Sequence, residues 1–346
     1  MIEPITALTG AAIISWLLVA HVRNYALKRQ LLDVPNARSA HSVPLPRGGG
    51  LAIVAVVLFG IVVSMALGSI SLRFGLAVVG GGLAVAAVGW IDDHRSVSPV
   101  IRAAVQTAAA LWAVSVLGGL PRLWVGETTI QLGSFGVVVA TLGIVWLTNL
   151  YNFMDGIDGL AGVNAFTVGL AATTLLAVRH NAAYAMLASI IAGASLGFLI
   201  WNWAPAQIFM GDVGSGFLGY TFGVLAIGTE NSGSVPILIW LLLQGAFIVD
   251  ATCTLIRRML RRERWYAAHN SHAYQRAVRS GFTHSAISTA VAIANLVLAV
   301  LAWTVLRSAW LLWPACLFAT AALGALYLDI ERRFPMTTQS ASPTRL

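Results

Sequence analysis

Apolar residues run in long blocks along this chain, and polar residues gather in the short gaps between them. Blocks near 5–22, 50–69, 73–91, 101–119, 135–151, 160–178, 183–201, 216–229, 235–256, 285–306 and 309–328 stand out. A membrane-crossing helix needs about 20 apolar residues, so these predict about eleven spans, the one at 216–229 being the shortest. One gap breaks the pattern. Leu123 to Leu132 alternates about a turn-like centre at Gly126-Glu127, which predicts a small β-hairpin near 123–134. The tail from Pro335 to Leu346 is rich in Ser, Thr and Pro and is expected to be disordered. The expected fold is an all-α polytopic integral membrane protein, one transmembrane domain over residues 1–334 followed by a tail at 335–346.

Composition agrees. Only 10% of the 346 residues are charged and 58% are hydrophobic, against about 25% charged in soluble domains. That excludes a water-soluble globular enzyme. The net charge of +8 would suit a nucleic-acid partner in a soluble protein. In a membrane protein it reports basic cytoplasmic loops, and no nucleic acid is expected. With the N-terminus outside, 17 Lys and Arg fall on the cytoplasmic side and 4 on the other, which places the hairpin outside and the C-terminus inside. Cys253 and Cys316 are far apart in apolar runs and offer neither a disulfide framework nor metal spacing. The first apolar run lacks a basic flank and reads as a retained span. Gly80-Gly81-Gly82 in the third span is expected to let helices pack closely.

The 13 acids change the picture further. Asp92, Asp93, Asp155, Asp158, Asp212 and Asp250 sit near span ends on the cytoplasmic side. Buried carboxylates cost free energy and repel one another unless cations lie among them. A divalent metal in a cytoplasmic cleft, with Arg and His from nearby loops, resolves that; the competing reading is a set of separate helix caps and ion pairs.

The motifs differ in specificity. Trp90-Ile91-Asp92-Asp93-His94-Arg95 places two carboxylates at a helix end, as a metal site or a solvated turn would. Asn149-Leu150-Tyr151-Asn152-Phe153-Met154-Asp155-Gly156-Ile157-Asp158-Gly159 is more telling, since two amides and two acids lie among glycines that permit a broken helix. Its amides can read a base or sugar edge, and its acids can hold a ribose, a metal or a metal-bound phosphate; calcium would need more ligands in register. In Phe209-Met210-Gly211-Asp212-Val213-Gly214-Ser215-Gly216, Asp212 suits a metal ligand beside phosphate-accepting backbone, and Phe209 is either a base-stacking ring or an ordinary apolar one. The loop 257–283 carries seven arginines with His269, His272 and Arg276, which fits phosphate better than zinc. Arg47, beside Gly48-Gly49-Gly50, is a phosphate contact outside any Walker A pattern.

Together, over about residues 30–280, these five cytoplasmic motifs resemble the polyprenyl-phosphate N-acetylhexosamine-1-phosphate transferases. Pro35-Asn36 through Gly50 and His269 through Arg276 look most like the O-antigen-initiating branch. The peptidoglycan branch has a lysine after its Asp-Asp pair and three adjacent histidines, where this chain has Arg95 and split histidines; a muramyl-pentapeptide substrate is therefore not implied. The resemblance implies catalytic roles for Asp92, Asp93 and His272. It implies substrate binding by Asn152, Asp155, Asp158, Phe209, Arg47, His269 and Arg276. Asp212 becomes a magnesium ligand (Mn²⁺ as the alternative ion), with Asp92 a second candidate. The implied reaction moves a GlcNAc-like or 6-deoxy-HexNAc 1-phosphate from a UDP-sugar to undecaprenyl phosphate and releases UMP. It would take place at the cytoplasmic face of a bacterial inner membrane, as the first membrane step of surface polysaccharide synthesis. A homodimer is compatible with this. An acceptor phosphate with a second pKa near 6 is mostly a dianion at pH 7 and needs no strong base, so direct attack is expected, with a covalent aspartyl-phosphate route left open. The competing class is a secondary transporter with broken helices and intramembrane acids.

Overall fold

The computed structural model describes residues 2–34, 43–263 and 269–336. All eleven expected spans are helical. The helices are α1 (Ile2–Lys28), α2 (Gly50–Ala66), α3 (Leu72–His94), α4 (Pro99–Leu117), α5 (Phe135–Met154), α6 (Leu160–Val178), α7 (Ala182–Asn202), α8 (Asp212–Asn231), α9 (Ile237–Leu243), α10 (Gly245–Leu260), α11 (Ala273–Arg279), α12 (His284–Arg307) and α13 (Leu312–Arg333). Among the described residues eight helices are long and apolar enough to cross a membrane, or nine with the bent pair α9–α10 taken as one span. The two expected spans outside that count are α2, with 17 residues, and α8. Val213 through Glu230 of α8 are all buried inside the protein. A helix with little contact to lipid can be built from Gly, Ser and Thr.

α8 is the axis of the bundle, with α2, α3, α4 and α5 packed around it. Small residues allow the approach, as expected for the third span. A Cβ on Gly81 would strike the Tyr220 hydroxyl, and one on Gly82 would lie 2.9 Å from the Phe217 ring. On the outer surface, Leu296, Leu317 and Phe318 are exposed, the large apolar residues that lipid covers.

The ninth expected span is not continuous. α9 and α10 meet at Gln244 with a 79° bend. The Gln244 side chain is buried, and its amide must find partners inside the protein. It finds Asn164, whose Nδ2 donates to Gln244 Oε1 (2.8 Å), and Tyr151, which accepts from Gln244 Nε2 (3.1 Å). Asn295 of α12 extends the knot, donating to Asn164 Oδ1 (2.9 Å) and Thr167 Oγ1 (2.8 Å).

Two antiparallel strand pairs complete the fold. β1 (Leu32–Asp33) pairs with β2 (Leu45–Pro46) in the first loop. The expected hairpin is present as β3 (Arg122–Val125) and β4 (Thr128–Gln131), with Val125 opposite Thr128 and Gly126 at φ +72° in the turn. Buried Glu230, at the far end of α8, accepts the N–H groups of Trp124 and Ile237 at 2.6 Å each and fastens hairpin and α9 to the bundle. It stands near the end of the 20-residue α8 that Asp212 begins, 18 positions on, roughly 27 Å at 1.5 Å per residue. Of the expected tail, residues 337–346 lie outside the described residues. Met336 is buried, and its carbonyl accepts from Arg261 Nη1 at 2.6 Å. Residues 35–42 of the first loop motif also lie outside.

The two ends of α8 should face opposite sides of the membrane. In a background lacking Cys253 and Cys316, a cysteine at Ser96 should react with an impermeant thiol reagent in inverted vesicles only, and one at Thr128 in intact cells only. Labelling of both from one side would overturn the span order.

Candidate functional site

At one end of the bundle, chain breaks between apolar helices bring the acids together. α3 carries Asp92 and Asp93 in its last turn, α5 ends before Asp155, and α8 starts on Asp212. Asp93 spans the start of α8: Asp212 N–H donates to its Oδ1 (2.9 Å) and Val213 N–H to its Oδ2 (3.2 Å). The positive end of a buried helix is thus met by a carboxylate. Side-chain volume is excluded at this junction. Gly211 has φ +78°, and a Cβ there would lie 2.5 Å from Asp93 Oδ2; one on Gly89 would lie 2.5 Å from the Asp212 carbonyl oxygen.

The Asp92 and Asp212 carboxyls face each other within hydrogen-bonding reach. Arg102, in the first turn of α4, bridges them from Nη1 at 2.5 Å and 3.2 Å. Val97 N–H also donates to Asp92 (2.6 Å). Arg47 enters from the other side, 3.0 Å from Asp33 and 3.8 Å from Asp93, within electrostatic reach of Asp212 and Asp155. Its three following glycines serve packing: Gly49 and Gly50 donate to the carbonyls of Phe209 and Met210 at 2.9 Å each, and a Cβ on Gly50 would strike Gly214. The Arg47 loop and the Phe209–Asp212 segment are therefore one structural unit, with the Phe209 ring half-buried.

Asn152 reaches Asp212 and, at 3.4 Å, Ser215 Oγ. Asp155 is half-buried, and desolvation, with Asp212, Asp93 and Asp158 nearby, pushes its carboxyl well above the usual range against the pull of Arg47. Asp158 Oδ2 accepts Ala206 N–H at 3.1 Å and lies 3.2 Å from His284 Nδ1. The histidine loop docks here too. Tyr274 Oη donates to the Phe153 carbonyl (2.9 Å), into space that a Cβ on Gly156 would fill. Asp250 of α10 holds that loop, accepting from Ala273 N–H (2.9 Å), Tyr274 N–H (3.1 Å) and Thr254 Oγ1 (3.1 Å), with His272 Nδ1 at 3.4 Å. His272 is buried between the rings of Phe153, His269 and Tyr274. Burial, with His272 and Arg258 beside it, pulls His269 down to about 3. That shift favours a neutral ring near pH 7, a hydrogen-bonding group and not a cation.

One expected substrate residue stands elsewhere. Arg276 is buried against α13, with Nη1 donating to Glu331 and to the Phe334 carbonyl and its guanidinium over the Tyr327 ring. Its charge is matched there, so Arg276 braces the C-terminal helix and is not brought to the acids. Arg102 was not expected as a site residue, and Asp250, grouped with the cytoplasmic acids, was given no role of its own. A signal for Arg102 did exist: a cation in the first turn of a helix opposes the dipole and implies acids nearby.

Among the described residues, no three His, Cys, Asp or Glu side chains stand close enough to form a closed metal site. Magnesium seldom uses one, because it keeps several waters and takes one or two carboxylates together with substrate phosphates. Asp92 and Asp212, two hard oxygen donors face to face, fit that mode.

The comparisons agree with this geometry. Residues 75–230, from α3 to α8, match the model of glycosyl transferase family 4. A probable undecaprenyl-phosphate N-acetylglucosaminyl 1-phosphate transferase of Bacillus subtilis (strain 168) is 31% identical over 289 residues, 82% of this chain and 80% of the relative. An undecaprenyl-phosphate alpha-N-acetylglucosaminyl 1-phosphate transferase of Yersinia pestis is 29% identical over 295 residues, covering 81% and 78%. A decaprenyl-phosphate N-acetylglucosaminephosphotransferase of Mycolicibacterium smegmatis is 28% identical over 313 residues, covering 80% and 76%. With a relative this similar over four fifths of its length, the chain is a membrane-embedded transferase. This chain belongs to glycosyl transferase family 4, within the polyprenyl-phosphate N-acetylhexosamine-1-phosphate transferase superfamily. The transporter reading falls with that membership.

The raised carboxyl of Asp155 gives a stability prediction. Its folded value lies above the roughly 3.9 of an unfolded chain, so the unfolded state releases its proton more readily and this residue costs stability as pH rises through that interval. With EDTA present, Asp155→Asn should melt a few degrees above wild type at pH 8, with the gap narrowing at pH 5, while turnover falls by about 100-fold or more. A lower Tm at pH 8 would contradict the electrostatic account.

Proposed function

We propose that this protein transfers GlcNAc-1-phosphate from UDP-GlcNAc to a polyprenyl phosphate at the cytoplasmic face, releases UMP, and so begins a bacterial surface polysaccharide. The observation carrying this reading is the meeting of Asp92, Asp93, Asp155 and Asp212 with Arg47 and Arg102 at the helix ends. Opposed charges at close quarters suit a diphosphate that arrives with a divalent cation. The relatives' names support the sugar and the polyprenyl carrier.

An oxygen of the acceptor phosphate attacks the phosphorus that carries the sugar. The bond to the bridging oxygen breaks, and that oxygen leaves as part of UMP. Such transfer depends on positioning and charge neutralisation. Magnesium held by Asp212 and Asp92 would neutralise the diphosphate and the developing charge on UMP. Arg102 orients both carboxylates, and Arg47 lies at the same cluster to meet phosphate oxygens. Asn152 and Asp155 line the donor side, Phe209 offers a ring to the base, and Asp93 keeps α8 in register. His272, held by Asp250 on the motif of Asn152 and Asp155, is the group to share charge with the leaving phosphate. The dianionic acceptor needs no proton removed, which supports direct attack.

Purified protein should release UMP from UDP-GlcNAc only with polyprenyl phosphate and Mg²⁺ present. Asp212→Asn should lose at least about 100-fold in rate while keeping its fold, since an amide is a poor ligand for a hard cation; wild-type turnover with unchanged Mg²⁺ dependence would exclude it as a ligand.

The role of Asp92 is separable by pH. Asp92→Asn should lose rate evenly from about pH 5.5 to 9, because an ordinary Asp near 3.9 is too weak a base for an acceptor near 6. Alkaline rescue of the variant would instead make Asp92 a general base.

A further inference from the structure

α12 begins beside the site yet lies outside the motif regions and the stretch matched by the family model. His284 is its first residue, after the cap Thr283, whose Oγ1 accepts from Ala286 N–H (3.2 Å). His284 Nδ1 lies 3.2 Å from Asp158 Oδ2 and 3.4 Å from Asp158 N. A neutral ring accepts that N–H at Nδ1, and a protonated ring donates from the same nitrogen to the carboxylate. One turn on, fully buried Ser288 donates from Oγ to the Asp158 carbonyl at 2.9 Å.

Asp158 in turn joins two segments. Its Oδ2 accepts Ala206 N–H at 3.1 Å. Its neighbour Gly159 donates to Asn202 Oδ1 (3.0 Å), and Asn202 Nδ2 donates to the Ile208 carbonyl (2.9 Å), adjacent to Phe209. The segment carrying Asp155 and the segment carrying Phe209 are thus buckled together through Asp158 and Asn202, and α12 clasps the buckle from outside. Neither segment belongs to a regular element at this point, so the bonds through Asp158 and Asn202 help to set their spacing.

We infer that His284 is a positioning residue for the nucleotide sugar: by fixing Asp158 it sets the distance between the Asp155 segment and the Phe209 loop. The substrate named in this inference rests on the proposed UDP-GlcNAc reading. Loss of the imidazole removes one bond from Asp158, worth about tenfold in an equilibrium, and loosens the loop before α8. The effect should fall on donor binding, because the acids at Asp92 and Asp212 are held by Arg102 and Asp93 instead.

The test measures initial rates of UMP release at saturating polyprenyl phosphate, with hydrogen exchange of the 203–209 amides in the ligand-free protein. His284→Ala should raise KM for UDP-GlcNAc about tenfold, keep kcat within about threefold, and speed exchange at 203–209. His284→Asn, whose side-chain amide reaches the position of Nδ1, should recover most of both effects. Thr283→Ala weakens the same helix start without touching Asp158; it should lower Tm but leave KM and exchange at 203–209 unchanged. An unaltered KM in His284→Ala, or an equal rise in Thr283→Ala, overturns the inference. If wild type releases no UMP from UDP-GlcNAc, the substrate assignment fails, and the exchange comparison still decides whether His284 holds the two segments.

Discussion

A helix that starts inside a protein, away from bulk water, leaves its first N–H groups without partners and gathers partial positive charge there. α8 starts that way, and it is the helix around which the others pack. Asp93 meets both needs with two oxygens on two successive amides. Everything near the site follows from this contact. It locks the end of α3 to the start of α8, which sets Asp92 against Asp212. That pair then requires a cation, and Arg102 takes its place between them. Removing the contact would unpair a buried helix end and a buried charge together, so structure and chemistry rest on the same carboxylate.

The family match stops at Glu230, but the site does not. Asp250 on α10 and His272 before α11 close it from one side, and the start of α12 clasps it from another. The acids form a fixed floor on α3, α5 and α8, the stretch that the family model covers. The walls come from later elements, which join the floor through a few side-chain bonds.

Much of this was legible in the sequence. Long apolar runs located the long helices, alternation located the hairpin, and the crowding of acids at span ends pointed to the candidate site. What escaped detection was relational. Nothing local to Arg276 announces that Glu331, 55 positions on, takes its charge. Asp158 reads as a substrate ligand because of its motif, and only the fold reveals Ala206 and His284 on its carboxylate. The ninth span reads as continuous, since hydropathy averages over one Gln and cannot register that its amide turns toward Tyr151 and Asn164. The eighth reads as weak for the opposite reason, its small polar residues being matched by helices and not by lipid.

The knot at Gln244 bears on how the chain enters the membrane. Synthesis runs from the N-terminus, so Tyr151 on α5 and Asn164 on α6 are made before Gln244, and Asn295 on α12 after it. A span broken by an amide partitions poorly into lipid by itself, because that amide has no partner among acyl chains. Here a partner is already present when the amide arrives, and each later polar group finds the earlier ones in place. The order of elements along the chain thus works as an assembly schedule, in which the early helices act as receptors for the bent one.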